Sequence, residues 1–229
     1  MSIGKGILDV LFPPVCVLCG ERVERVGMLC EYCLSQLEYT DEGRLRDNLT
    51  EDVLSDLKQV DRASAYVFYD KESAMSSLIH AAKYGTAPRP EILYYLSRNA
   101  AKDWADTGFF DGIDVIIPVP LHKERFWERG FNQAEWIANG LADELGIPVD
   151  TEHLKRVVNN EHQARSRGEE RQQNVQGIFS VDHPEEMFRK HILLVDDVIT
   201  TGSTIRECVK TMKAFRGSHI VVFALAKPR

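Results

Sequence analysis

The stretch ILLVDDVITTGST at 192–204 carries residue types suited to binding a phosphorylated sugar. An apolar strand would end at Asp196 and Asp197, and a short hydroxyl-rich loop would follow and open a helix. Consecutive backbone N–H groups at a helix N-terminus bind anions, and hydroxyls and a glycine beside them allow close approach. We therefore predict a phosphate cradle built from Thr200, Thr201, Gly202, Ser203 and Thr204.

The acid pair suits a different part of the same ligand. Carboxylates repel a phosphate, but they accept hydrogen bonds from vicinal hydroxyls. A phosphate on the loop and a diol on Asp196 and Asp197 together describe a ribose 5-phosphate. The alternative is structural, with Asp197 capping a turn and Asp196 ending a strand. No Walker loop is indicated, and no strand is followed by GxGxxG, so the sequence does not indicate a dinucleotide site.

A basic segment follows the strand predicted at 113–119 and presents Lys123, Arg125 and Arg129 in a polar loop. Guanidinium groups make bidentate contacts to phosphate oxygens, and open α/β sheets bind ligands at the carboxyl ends of their strands. We predict that pyrophosphate binds there, with a solvated charged loop as the alternative. We expect Trp127 to anchor this loop to the core together with Phe131; stacking on a base is the second interpretation.

Residues 155–176 hold five Lys and Arg against three Glu and have few large apolar side chains, which is typical of a mobile basic loop. A loop of this kind can close over a bound diphosphate. The alternative is a disordered surface loop. The residues predicted to act in such a flap are Gln163, Arg167, Arg171 and Asn174.

The cysteines predict a metal site near the N-terminus. Cys16, Cys19, Cys30 and Cys33 form two CxxC pairs separated by ten residues. Two such pairs complete the four-sulfur shell that zinc accepts and leave no open position, so the site would be structural. Iron is the second choice, and a disulfide is the third because the cytosol keeps thiols reduced. We expect Cys208, which has helical spacing, to lie in the core.

Apolar periodicity predicts the elements that position these residues. Strands are predicted at 65–69, 113–119, 191–195 and 219–226, and helices at 72–83, 92–104, 134–145 and 205–215. Such alternation is typical of an α/β fold with a mostly parallel sheet and helices on both faces.

The chain divides by pattern into three parts. We predict a zinc-binding module at 1–45, a connecting segment at 46–62 and an α/β domain at 63–229. Apolar spacing within 3–12 predicts a short amphipathic helix. Residues 41–60 are charged with weak periodicity, and a short helix is expected among them.

Composition limits the functions that the chain can perform. Its 229 residues include 28 basic and 35 acidic side chains, for a net charge of −7, and 44% are hydrophobic. This excludes wholesale disorder and argues against coating nucleic acid by bulk charge. No run approaches the roughly 18 apolar residues of a membrane span, and the first fifteen residues lack a secretory signal, so we expect a cytoplasmic protein.

The 192–204 stretch resembles the phosphoribosyl pyrophosphate (PRPP) signature of type I phosphoribosyltransferases. Three further stretches resemble the ComF competence-protein family. They are LFPPVCVLCG at 11–20, IIPVPLHKERFWERGFNQ at 116–133 and HQARSRGEERQQNVQGIF at 162–179. The resemblance covers almost the whole chain. It implies a type I phosphoribosyltransferase-like domain behind a zinc module, with Asp196 and Asp197 on the ribose hydroxyls and Val198 and the TTGST loop around the 5-phosphate.

In a transferase, C1 of PRPP loses pyrophosphate through an oxocarbenium-like state. The catalytic candidates are Asp196 and Asp197 for the ribose and Arg125 and Arg129 for the departing pyrophosphate. Mg²⁺ would be shared between pyrophosphate and ribose oxygens near one of the two aspartates. No residue pattern selects an acceptor, which leaves the question of enzymatic activity open.

The resemblance implies a factor that binds PRPP or a related ligand. This factor would act in natural competence and DNA uptake, handling single-stranded DNA with a DNA-uptake helicase as partner. The alternative is an active phosphoribosyltransferase with an unidentified nitrogen acceptor. A third hypothesis, compatible with both, is that the zinc module docks a partner.

Overall fold

A computed structural model describes residues 13–25, 28–84, 87–158 and 177–229. The amphipathic helix predicted within 3–12 lies outside these residues. The helices are α1 (Glu31–Ser35), α2 (Leu49–Val53), α3 (Ala74–Lys83), α4 (Glu91–Asp103), α5 (Lys123–Arg129), α6 (Gln133–Leu145) and α7 (Ser203–Met212). The strands are β1 (Val60–Tyr69), β2 (Val115–Pro118), β3 (Leu154–Arg156), β4 (Phe179–Val181), β5 (His191–Val198) and β6 (His219–Pro228).

Four strands form one parallel sheet in the order β1-β6-β5-β2. The remaining two, β3 and β4, pair antiparallel, with Arg156 opposite Phe179. Side chains of β5 and β6 alternate between two buried faces, as parallel strands covered on both sides require. Leu193 and Phe223 pack with α3, α4 and α6, whereas Leu194 and Val222 pack with α7. The predicted α/β fold, with helices on both faces of a parallel sheet, is confirmed.

Several boundaries differ from the predictions, and three of the differences change the interpretation of a segment. β1 begins at Val60 rather than at residue 65. The prediction started too late because Arg62 interrupts the apolar pattern of the sequence. In the structure Arg62 is buried, and its guanidinium lies 5.0 Å from the centre of the Phe109 ring. β5 continues beyond residue 195 to Val198, so both acids belong to the strand. The basic loop predicted from 155 starts too early, since Lys155 and Arg156 pair in β3.

The predicted polar loop after β2 is wrong, because its residues form α5. The ring of His122 accepts a hydrogen bond from the N–H of Glu124, and Gly130 ends the helix with φ +79°. None of the residues of α5 is buried. A helix without a buried face has no apolar periodicity, which is why the pattern analysis missed it.

The segment at 41–60 packs closely against β1. Asn48 caps α2, as expected of a short helix here, and also donates to the carbonyl of Ala63 at 2.9 Å. Glu42, which is only 4% exposed, forms an ion pair with the buried Lys227 of β6 at 2.9 Å. Its other carboxylate oxygen accepts from the Thr50 hydroxyl and from the N–H of Ala65. These buried polar contacts fasten the segment to two strands of the sheet.

Among the residues with described positions, no helix is both long and apolar enough to cross a membrane.

Candidate functional site

The TTGST loop lies between β5 and α7. Gly202 adopts φ +71° immediately before the first turn of α7, a left-handed conformation that glycine tolerates best. Space is also tight there, because a Cβ on Gly202 would lie 2.7 Å from Cδ2 of Leu54. The loop encloses a recess of about 20 Å³, bordered by Asp196, Val198, Ile199, Thr200, Gly202, Ser203, Thr204 and Ile205.

The acid pair sits where β5 reaches this loop. The N–H of Asp197 donates to the Asp196 carboxylate at 2.9 Å. Burial, followed by the neighbouring charge of Asp197, raises the pKa of Asp196 to about 7. The Asp197 carboxylate instead forms a close ion pair with the ammonium group of Lys83. Two adjacent acids therefore have different electrostatic surroundings.

A cleft of about 200 Å³ joins the acid pair to the segment that follows β2. It brings together five of the predicted site residues, which are Asp196, Asp197, Val198, Thr204 and Arg129. Two further cations line it, Lys83 from the end of α3 and Arg156 from β3. The cleft thus combines acceptors for hydroxyl groups with cations for an anion.

The ring of Tyr84 helps to hold Arg129 at this cleft. The Arg129 guanidinium lies 5.5 Å from the ring centre and donates to the phenol oxygen at 3.4 Å. The pKa of Arg156 is lowered, mainly by burial. Cys208 and Asp196 raise this pKa, and the positive charge of Arg125 lowers it further. Arg125 is therefore close enough to influence Arg156, although it does not line the cleft.

Some predicted residues are not brought to this cleft. Lys123 lines an adjoining cleft of about 550 Å³, together with Phe126 and Trp127 of α5. The predicted flap residues Gln163, Arg167, Arg171 and Asn174 lie outside the described part of the chain.

The expectation that Trp127 anchors its segment to the core is wrong, because its side chain is 83% exposed. Phe131 is partly buried. Phe126, which the sequence analysis did not single out, is 42% exposed. Helix α5 therefore presents two aromatic rings to solvent beside the larger cleft.

Lys83 and Arg156 were both missed by sequence reasoning. Lys83 ends α3 and Arg156 ends β3. Both lie far along the chain from Asp196 and Asp197, and neither belongs to a recognisable motif. The only available signal was the position of Lys83 at the end of an amphipathic helix. Their role becomes visible only when the sheet brings β5 and these element ends together.

The four N-terminal cysteines converge as predicted. Their sulfur atoms all lie within 4.8 Å of one another, and Sγ of Cys19 is 3.5 Å from Sγ of Cys30. Tetrahedral zinc with bonds of about 2.3 Å requires sulfur atoms about 3.8 Å apart, so the set fits zinc. Gly20, directly after Cys19, adopts a positive φ of +76°.

The four thiols influence one another, so that the pKa of Cys16 is lowered, whereas burial and neighbouring thiols raise the pKa of Cys33. Burial raises the pKa of the Cys16 thiol, but hydrogen bonds with the backbone of Cys19, Cys30 and Leu18 outweigh that effect and lower it to about 6. A deprotonated sulfur is the form that binds a metal. Cys208 lies in the core with no exposed surface, as predicted.

Comparison with protein families agrees with this architecture. Residues 7–44 match the family model described as a double zinc ribbon domain, and residues 132–229 match the phosphoribosyl transferase domain. The matched ribbon region contains four of the chain's five cysteines, enough for a single four-sulfur site. Fold and site together define a zinc-ribbon protein with a type I phosphoribosyltransferase-like domain.

Curated relatives narrow the class to one family. The chain is 30% identical over 215 residues to competence protein F of Haemophilus influenzae, covering 93% of this chain and 85% of that protein. It is 30% identical to DNA utilization protein YhgH of Escherichia coli K12 over 69% of each chain. It is 31% identical to competence protein ComFC of Bacillus subtilis, over 83% of this chain and 68% of that one. The chain therefore belongs to the ComF family of competence and DNA utilization proteins.

Solved structures with weaker similarity include glutamine PRPP amidotransferase from B. subtilis, with a TM-score of 0.38 and 17% identity over 59% of this chain and 26% of that one. Adenine phosphoribosyltransferase from Leishmania tarentolae has a TM-score of 0.39 and 13% identity, over 70% and 90% of the two chains. At these values no residue or activity is transferred from either structure.

Proposed function

We propose that this ComF-family protein binds PRPP or a related phosphoribosyl ligand together with Mg²⁺, and that it serves natural competence and DNA uptake. The observation that carries the proposal is the junction of the TTGST loop and an acid pair on one strand, at a cleft lined by three cations. A phosphorylated sugar with a second anionic group matches all three features.

Each part of the ligand has its own residues in this arrangement. The 5-phosphate lies in the recess of the TTGST loop, where backbone N–H groups and the start of α7 favour an anion. The ribose hydroxyls donate to Asp196 and Asp197. The pyrophosphate lies toward Arg129 and Arg156, which line the same cleft as the acids.

The donor set fits Mg²⁺ only as a cation shared with the ligand. Among the described residues, no group of three acids or histidines converges as the four cysteines do. Mg²⁺ is commonly bound by one or two carboxylates, with phosphate oxygens and water completing its shell. Asp196 and Asp197 would supply those carboxylates, and the ion would neutralise charge on the pyrophosphate.

The proposed role in DNA uptake comes from the relatives, which are named for competence and DNA utilization. Handling of single-stranded DNA with a helicase partner is part of this proposal. Deoxyribose lacks the diol that the acid pair would bind, so DNA needs other contacts. The exposed rings of Phe126 and Trp127 offer surfaces on which bases can stack.

The test is calorimetric titration of the zinc-loaded protein with PRPP, with and without Mg²⁺. We expect one saturable site in the parent and its loss in the Asp196→Ala, Asp197→Ala double variant. Asp182→Asn is the matched control, because Asp182 is an exposed acid that pairs with Lys155 and does not line the cleft. Failure of the parent to bind PRPP would overturn the proposal.

A second candidate function is phosphoribosyl transfer to a nitrogen acceptor. It is favoured by the convergence of Arg129 and Arg156 where pyrophosphate would depart, with Arg125 close behind. In this function Asp196, Asp197, Arg125 and Arg129 are the catalytic candidates. Incubation of the protein with PRPP, Mg²⁺ and a panel of bases and amines tests it. Robust product formation would establish transfer, whereas binding without turnover across the panel would favour the binding function.

A further inference from the structure

The connecting segment forms a wall of the phosphate loop. A Cβ added to Gly202 would lie 2.7 Å from Cδ2 of Leu54 and 3.0 Å from Cγ1 of Val53. Leu54 is only 2% exposed, and α2 is anchored by the Asn48 cap and by Thr50, whose hydroxyl donates to the buried Glu42. The loop therefore rests against an element that is itself fixed to the sheet.

One side chain joins the loop to this wall. The Arg206 guanidinium, in the first turn of α7, donates to the carbonyls of Thr201 and Val53. It also forms a forked ion pair with Asp56, with Nε 3.1 and 3.2 Å from the two carboxylate oxygens and Nη2 3.0 Å from one of them. Hydrogen bonding to Arg206 is the main cause of a lowered pKa for Asp56.

These contacts commit the guanidinium to the protein. Arginine has five N–H donors in a rigid fork, and here all three of its nitrogens donate to protein oxygens. The Thr201 carbonyl carries partial negative charge, and the same loop must direct its N–H groups toward an anion. A carbonyl held by Arg206 cannot rotate into the recess.

We propose that Arg206 and Asp56 are positioning residues, which fix the TTGST loop in the conformation that binds the 5-phosphate. The inference rests on the proposed phosphoribosyl function and assigns part of the site to the connecting segment. Arg206 acts through the Thr201 carbonyl, and Asp56 acts by holding Arg206.

The Asp56→Asn variant distinguishes a positioning role from a purely electrostatic effect, because the two predict opposite changes in anion affinity. Asp56→Asn removes a negative charge near the phosphate loop and also loosens Arg206. If charge alone mattered, an anion would bind more tightly to this variant. If Asp56 positions the loop, the anion binds more weakly, although the variant is less negative.

The experiment is titration of the zinc-loaded protein with ribose 5-phosphate and, separately, with pyrophosphate and Mg²⁺. We expect Asp56→Asn to weaken ribose 5-phosphate binding by about tenfold, which corresponds to about 1.4 kcal/mol. Pyrophosphate binding should not change, and the control Asp182→Asn should bind both ligands like the parent. Denaturant unfolding checks that Asp56→Asn remains folded, as expected because the Asp56 side chain is 58% exposed.

A double-mutant cycle with Arg206→Gln completes the test. Positioning predicts that both single variants bind ribose 5-phosphate more weakly and that the double variant is no worse than Arg206→Gln alone. If only charge mattered, Asp56→Asn would strengthen ribose 5-phosphate binding, Arg206→Gln would weaken it, and the two changes would add in the double variant. Equal or tighter binding by Asp56→Asn would overturn this inference alone. No saturable binding of ribose 5-phosphate by the parent would overturn it together with the proposed function.

Discussion

Asp196 and Asp197 are neighbours on one strand, yet they are held in opposite ways. Asp197 has a cation, Lys83, within ion-pair distance, whereas burial and the charge of Asp197 raise the pKa of Asp196, and Lys83 and Arg156 only partly offset them. Ionising Asp196 in the free protein therefore costs free energy. A cation or a set of hydroxyl donors in the cleft would lower that cost, which is a reason to place the ligand's polar groups there.

This cost gives a pH-dependent prediction. The pKa of Asp196 is about 7 in the folded protein and near 3.8 in the unfolded chain, so the folded state binds more protons between these values. The contribution of Asp196 to stability is thus present at low pH and is lost as the pH rises toward about 7. We expect Asp196→Asn to be more stable than the parent at pH 8, by at least about 1 kcal/mol.

Urea unfolding of both proteins between about pH 5.5 and pH 8 measures this difference. The advantage of Asp196→Asn should shrink as the pH falls, and the comparison between the two proteins cancels the titration of other groups. A difference that is constant across this range would contradict the raised pKa.

At the residue scale, site residues could be predicted from the sequence only where they lie close together in the chain. The acid pair and the TTGST loop are adjacent in the chain, and the cysteines have a diagnostic spacing, so their grouping could be predicted. Lys83 and Arg156 reach the cleft only through tertiary structure, and no local pattern distinguishes them from exposed cations. Trp127 was misplaced because burial was assumed for a large apolar ring.

At the scale of elements, the strands of the parallel sheet and the longer helices that pack on it were predictable, whereas α5 and the short strands β3 and β4 were not. The structure also changes the interpretation of the connecting segment. Residues 41–60, which overlap this segment, are charged with weak periodicity, but Glu42 among them is buried, and its carboxylate has three partners from three different parts of the chain. Such a network costs free energy to desolvate, and it specifies one arrangement of the segment.

Breaking this network should be costly. We expect Glu42→Gln to destabilise the protein by about 3–5 kcal/mol, because it leaves the buried Lys227 ammonium without a counter-charge. The double variant Glu42→Gln, Lys227→Met should recover much of the loss, since no buried charge then remains. Chemical denaturation of the parent and the three variants measures these differences. A double variant as unstable as the two single variants combined would show that the pair does not act as a unit.

At the scale of the whole molecule, the zinc module and the α/β domain share one core. Cys16, Cys33 and Leu37 belong to the same buried cluster as Leu78 and Phe223. The backbone of Glu38 and Thr40 also hydrogen-bonds to β1. The three-part division of the chain at residues 45 and 62 remains a proposal, and these contacts place its first boundary inside a packed region.

Zinc should therefore support more than its own ribbon. We expect Cys30→Ser to reduce bound zinc from one ion per chain to nearly none and to lower the melting temperature. Cys208→Ala is the matched control, because it removes a buried cysteine from the core but should retain zinc. Elemental analysis and thermal unfolding measure both effects. Zinc retained by Cys30→Ser would contradict the four-cysteine site.

The same variant addresses the hypothesis that the module docks a partner. If it does, Cys30→Ser loses both zinc and the partner, whereas Cys208→Ala keeps both. Loss of zinc with partner binding intact would reject that hypothesis.

The strand order has a consequence for folding during synthesis on the ribosome. Val60 of β1 pairs with Ile220 of β6, 160 residues later, and β6 lies between β1 and β5. At about 5–20 residues per second, the first strand waits roughly 8–30 s for its only strand partner in the parallel sheet. During that time the edge of β1 that pairs with β6 is open to mispairing with other nascent chains, and the edge of β5 that pairs with β6 is open from the synthesis of residue 198 until β6 is made. Folding of this sheet therefore cannot be completed before β6 has been made, and the interval before that is a step at which chaperones have reason to act.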